Sequence, residues 1–132
     1  MTLRYVALGE PRPKGTLAHG RHGKAYWPKR VKDWEKVVKH EAGRAMRSRS
    51  YPIIAAPCSV TMCFYVTPTK GGKAPGRKRG DVDKLARCVL DAMSETVYVD
   101  DELVDFLHVT KQAVQPGCLP RVEVSVHILV LT

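Results

Sequence analysis

The closing stretch "RVEVSVHILV" alternates so regularly that one conformation suits it above all others. Val122, Val124, Val126, Ile128 and Val130 lie two apart, and side chains two apart share one face of a β-strand. A strand with one apolar face needs a sheet to join and a layer to cover that face. The segment "CSVTMCFYVTP" alternates in the same way, with Val60, Met62, Phe64 and Val66 on one face. Shorter strands are expected at "LRYVAL" (residues 3–8) and "TVYV" (96–99), and alternation resumes in "LVDFLHVTKQAV" (103–114). The spacing near the end resembles an antiparallel hairpin.

Two other segments carry a helical period. From Pro28 to Arg47, the residues Val31, Trp34, Val37, Val38, Ala42, Ala45 and Met46 recur at three and four, with Lys and Glu between them. A proline at the start suits a first helical turn. From Asp81 to Ser94, the residues Val82, Leu85, Ala86, Val89 and Met93 cluster on one side at about 100° per residue. The mixture predicts an α+β fold: one domain over residues 1–132, with two main helices on a mixed or antiparallel sheet. Between strands and helices lie two loops rich in Gly, Pro and cations, "GEPRPKGTLAHGRHGKAYWP" and residues 67–80. The second is expected to be mobile.

Charge is distributed unevenly between these elements. The chain of 132 residues carries a net +9. Between Asp81 and Asp105 there are eight acids against Lys84 and Arg87, a net of −6, which leaves +15 for the remainder. A basic body suits a polyanion, because neutralising phosphates releases bound counterions. No apolar run approaches the roughly 18 residues of a membrane span, and the N-terminus reads as a strand rather than a signal peptide. A cytoplasmic protein with no membrane partner is the expectation. Cys58, Cys63, Cys88 and Cys118 form no CxxC pair, and the five histidines show no ligand spacing, so zinc and disulfides are not expected. Cys63 and Cys88 read as buried, Cys58 and Cys118 as near loops.

The acidic island suggests chemistry. Asp83, Arg87 and Asp91 stand four apart, a stripe opposite the apolar face of the second helix, with Asp81 at its start. Asp100 and Asp101 make a bend flanked by Val97, Val99, Leu103 and Val104. If that bend lies near the helix start, carboxylates converge with few cations to neutralise them, which raises their pKa or demands a counter-ion. Hard oxygen ligands suit Mg²⁺ or Mn²⁺, and a bound dication would let an acidic patch approach a phosphodiester. Lys70, Lys73, Arg77, Lys78 and Arg79 precede the island as a source of phosphate contacts. The same residues also suit humbler roles: Asp81 as an N-cap, Asp83–Arg87 as an i,i+4 pair, Asp100-Asp101 as a turn. Tyr26 and Trp27 border the first cationic loop, where an exposed base could stack.

"DVDKLARCVLDAM" followed by "VYVDDELV" resembles the signature of RusA-type Holliday junction resolvases, endodeoxyribonucleases common in phages and prophages. The opening "GEPRPKG" and the closing "HVTKQ…RVEVSV" fit that family's layout. The resemblance implies Asp81, Asp83 and Asp101 as catalytic carboxylates that bind the metal, with Asp100 assisting and Asp91 supporting. Arg87 stands where the family usually has a lysine, and Lys84 where it has an asparagine. Arginine keeps the charge but cannot donate a proton at ordinary pH. Lys14, Lys84 and Lys111, with the basic loop, are expected to meet DNA. The resemblance further implies Mg²⁺ (with Mn²⁺ as substitute), a homodimer, four-way junctions or other branched DNA as substrate, and a bacterial or phage-infected host cell. A non-catalytic binder of branched DNA is the alternative.

Overall fold

The computed structural model describes residues 1–15, 17–20, 23–68 and 80–129. Lys70, Lys73, Arg77, Lys78 and Arg79, His22 and Val130 lie outside the described residues. The elements are β1 (Thr2–Leu8), β2 (Ala18–His19), β3 (Ala25–Tyr26), α1 (Lys29–Ser48), β4 (Cys58–Val66), α2 (Val82–Met93), β5 (Val104–Ala113) and β6 (Arg121–Ile128). One 3-10 turn, Asp101–Leu103, leads into β5. The fold is α+β, as the alternation and helical periods predict.

The four-stranded sheet runs β1-β6-β4-β5, with β1–β6 and β6–β4 antiparallel and β4–β5 parallel. The expected hairpin near the end therefore does not form: β4 lies between β5 and β6. A parallel pair needs a crossover too long for a turn. Here α2 occupies the connection between β4 and β5, which commits β6 to the opposite side of β4. "TVYV" is likewise no strand; Tyr98 makes isolated bridges to Ile54 and Ser94. The first Gly/Pro-rich loop contains a small two-stranded ribbon, β2 with β3, that its composition concealed.

One face of the sheet is buried. Leu3, Tyr5 and Ala7 of β1, Val122, Val124 and Val126 of β6, and the even positions of β4 from Cys58 to Val66 all lie in the core. Cys58 shares the parity of Val60 and Met62, so it is core, whereas Cys63 turns to the other face and is half-buried. This reverses the sequence expectation for the pair. Helix α1 contributes Val31, Trp34, Val38, Ala42 and Met46; Val37 lies outside that arc and is exposed.

Helix α2 buries Leu85, Ala86, Cys88, Val89, Ala92 and Met93. Its buried arc is wider than the predicted stripe because it packs on both α1 and β5. Each fully buried Leu, Val or Met contributes roughly 1.5–3 kcal/mol relative to exposure. Val82, expected in the core, is exposed, because the first turn of α2 stands clear of the packed layer.

Candidate active site

The start of α2 is set by the segment Glu10–Gly15. Glu10 accepts hydrogen bonds from the backbone N–H and Oγ1 of Thr67, at the end of β4 (3.3 and 3.1 Å). Lys14 N–H donates to the Lys84 carbonyl (3.0 Å). Pro13 presses on Gly80, where an added Cβ would come within 2.8 Å of the proline ring and φ is +99°. Only glycine tolerates both that approach and that backbone angle without strain. Lys111 of β5 donates from Nζ to the Gly80 carbonyl (2.7 Å), so Pro13 and β5 together fix the residue before Asp81.

Among the described residues, the carboxylates at this end make few contacts with the fold. Asp81 occupies the N-cap position of α2, yet its side chain makes no capping hydrogen bond. Among the described residues its one ion pair is a long contact to Lys84 Nζ, at 3.6 Å, with both side chains substantially exposed. Asp83 makes no ion pair with Arg87 at 4.0 Å or less among the described residues. Arg87 instead lies over the Trp27 ring, its Cζ 5.6 Å from the centroid. The N-cap and i,i+4 explanations therefore do not account for either aspartate.

The bend Asp100-Asp101 lies elsewhere. Tyr98 Oη donates to the Leu90 carbonyl (2.7 Å), which ties the approach to the bend against the last turns of α2. Asp101 is held above the ordinary carboxylate range by desolvation, then by Asp100, with Asp91 and Glu102 adding their charges. Asp100 is held below that range, mainly because it accepts the Glu102 backbone N–H and caps the 3-10 turn. Asp91 and Asp81 are ten positions apart on α2, about 15 Å along the axis. The bend thus accompanies the C-terminal half of α2, not its start, and the expected convergence of Asp81, Asp83 and Asp101 is not formed. Among the described residues, no three His, Cys, Asp or Glu side chains are gathered to hold a metal ion.

Lys14 also differs from expectation. It is buried, 8% exposed, and its Nζ pairs with Glu35 of α1 (3.1 Å) and Asp91 of α2 (3.0 Å). The same amine stands 4.8 Å from the centroid of the Trp27 ring. Burial pulls its pKa down, but hydrogen bonds to Asp91 and Glu35 and their charges outweigh that and leave it raised. Lys14 is an internal tie between two helices rather than a DNA-facing residue. Asp91 anchors that tie. Trp27 and Glu35, which complete the junction, have no sequence signature, since their partners are distant in the chain. Trp27 is half-buried with cations on its ring, while Tyr26 remains exposed.

The donor chemistry nonetheless suits a hard dication. Mg²⁺ is commonly held by one or two carboxylates together with water, and two carboxylate pairs are available, Asp81 with Asp83 and Asp100 with Asp101. Cations flank the first pair: Lys84 beside Asp81 and Lys111 one residue away. Exposed aspartates interleaved with cations on an otherwise basic α+β protein are compatible with a protein that works on a phosphodiester backbone. Residues 5–127 match the family endodeoxyribonuclease RusA. The chain belongs to that family, whose members are Holliday junction resolvase nucleases that are generally dependent on a divalent metal. No individually curated protein matches it. No helix among the described residues is long and apolar enough to cross a membrane.

Proposed function

We propose that this protein is a Mg²⁺-dependent endonuclease that resolves four-way or related branched DNA by paired, symmetric nicks. The observation that carries the reading is the state of Asp81 and Asp83, which stand exposed at the start of α2 with, among the described residues, no hydrogen bond or ion pair beyond the long Asp81–Lys84 contact. The family match supports the substrate class.

Asp81 with Asp83 is the pair that would hold a dication at the start of α2, and Asp100 with Asp101 is a separate candidate pair at its other end. When bound, the dication supplies Lewis acidity toward a phosphate oxygen and neutralises carboxylate charge that would otherwise repel DNA. Water forms a bond to phosphorus while the bond to the 3′ oxygen breaks, leaving a 5′-phosphate and a 3′-hydroxyl. Arg87, steadied over Trp27, offsets the negative charge that develops; an arginine does this electrostatically and takes no part in proton transfer. Lys84 and Lys111 offset the phosphate charge near Asp81. Two cuts related by symmetry call for two copies of the site, which a C₂ homodimer supplies.

The arginine at position 87 and the lysine at position 84 favour one second reading, a branched-DNA binder without catalysis. Incubation with a synthetic four-way junction, in Mg²⁺ or in EDTA, separates the two. Paired nicks that require Mg²⁺ and disappear in Asp83→Asn, with binding retained, are expected. Tight binding with no cleavage in either Mg²⁺ or Mn²⁺ would sink the enzyme reading.

A further inference from the structure

The geometry points to a second DNA-binding site: a lysine track on α1, made by Lys32, Lys36 and Lys39, that grips the phosphate backbone of a DNA arm. These residues fall within about 60° of one another around the helix, and with Glu35 they line an open cleft of about 240 Å³. The three acids of α1 are engaged elsewhere. Glu35 is held by Lys14 (3.1 Å), Asp33 by Lys29 (2.9 Å) and Glu41 by Arg44 (3.7 Å). Among the described residues, no carboxylate lies within the 4.0 Å ion-pairing distance of Lys32, Lys36 or Lys39.

Like charges at i, i+4 and i+7 weaken an isolated helix. Among the described residues Asp33 acts electrostatically on the track, through Lys36, and it is itself held by Lys29; a row of phosphates would relieve the repulsion. The spacing fits such a row. Lys32 to Lys39 covers about 10 Å of helix axis, and a DNA strand rises about 3.4 Å per nucleotide. A track of that length can meet a few neighbouring phosphates of a duplex arm.

The track also faces the right way. One turn beyond Lys39, a Cβ on Gly43 would lie 3.5 Å from Thr96, just past α2, so this flank of α1 borders α2. Glu35, beside the track, connects through Lys14 to Asp91, which lies on the same stripe as Arg87 and Asp83. A strand lying along the lysines would continue toward that stripe. The inference rests on the proposed function, because that function makes branched DNA the partner.

The test measures binding of a labelled four-way junction in EDTA across a salt series, so that no cleavage enters the result. Lys32→Gln/Lys36→Gln/Lys39→Gln is compared with the unmodified protein. The slope of log affinity against log salt should become shallower by about 2 to 3, with binding roughly a hundredfold weaker near 0.1 M salt. Each single substitution should contribute about 0.9 of slope, which keeps the test informative should the triple variant fold poorly. An unchanged slope in a triple variant that melts normally, beside an unmodified protein that cuts junctions, overturns the track alone. An unmodified protein that binds no DNA overturns the proposed function and this inference together.

Discussion

At the scale of single residues, two positions do more than their types suggest. Gly80 is the hinge point between β4's outgoing connection and α2, held at a positive φ against Pro13. Gly80→Ala should lower stability by about 1–3 kcal/mol, the range for a strained backbone conformation, and chemical denaturation would measure it. Lys14 is legible in the sequence only as one more cation, and its burial between Glu35 and Asp91 is a tertiary fact. Its folded-state pKa lies above the usual 10.5. The stabilisation is therefore complete below pH 10.5 and lost as pH rises through the higher folded value. Lys14→Met should melt lower than the unmodified protein at pH 8. That gap should close progressively above pH 10.5 in paired thermal scans. A gap that stays constant to high pH would show that the carboxylates do not hold the charged amine.

At the scale of elements, the strands and helices were largely readable, and their pairing was not. The alternation of β4 and the period of α1 and α2 each identified an element within one or two residues of its bounds, while β6 ends at Ile128, short of the alternation that announced it. The adjacent Pro57 makes Cys58 read as near a loop, yet it shares the even parity of Val60 to Val66 and is core. What alternation cannot state is which neighbour a strand takes. That choice comes from α2, which must cover the apolar face between β4 and β5 and so makes them parallel. Hydrogen exchange should reflect this order: amides of β4 and β6, paired on both sides, should exchange most slowly. Those of the edge strands β1 and β5 should exchange faster on their outward-facing N–H groups. Equal protection in β5 and β4 would contradict the edge placement.

At the scale of the whole molecule, charge is partitioned: an acidic tract of −6 within a remainder of +15. The carboxylates of the tract oppose DNA until a cation neutralises them. In EDTA, Asp83→Asn should therefore bind a four-way junction a few-fold more tightly than the unmodified protein, because one like charge has been removed. Mg²⁺ should reduce that difference. Fluorescence anisotropy with and without Mg²⁺ would measure both, and weaker binding by Asp83→Asn in EDTA would contradict an exposed, uncompensated aspartate at the interface.

The sequence by itself determined the family, the fold class and the residue types of the acidic tract. Those depend on local periods and on residue types at short spacing, and both survive without knowledge of long-range contacts. Only the tertiary structure decided where those groups stand. It set Asp101 beside the end of α2 because β5 leaves the bend and runs back along the helix, reaching Gly80 only at Lys111. It withdrew Lys14 from the surface because two carboxylates and a tryptophan from distant segments meet around its amine. Distances between elements come from packing, and packing is the part of the physics that no local pattern in this chain records.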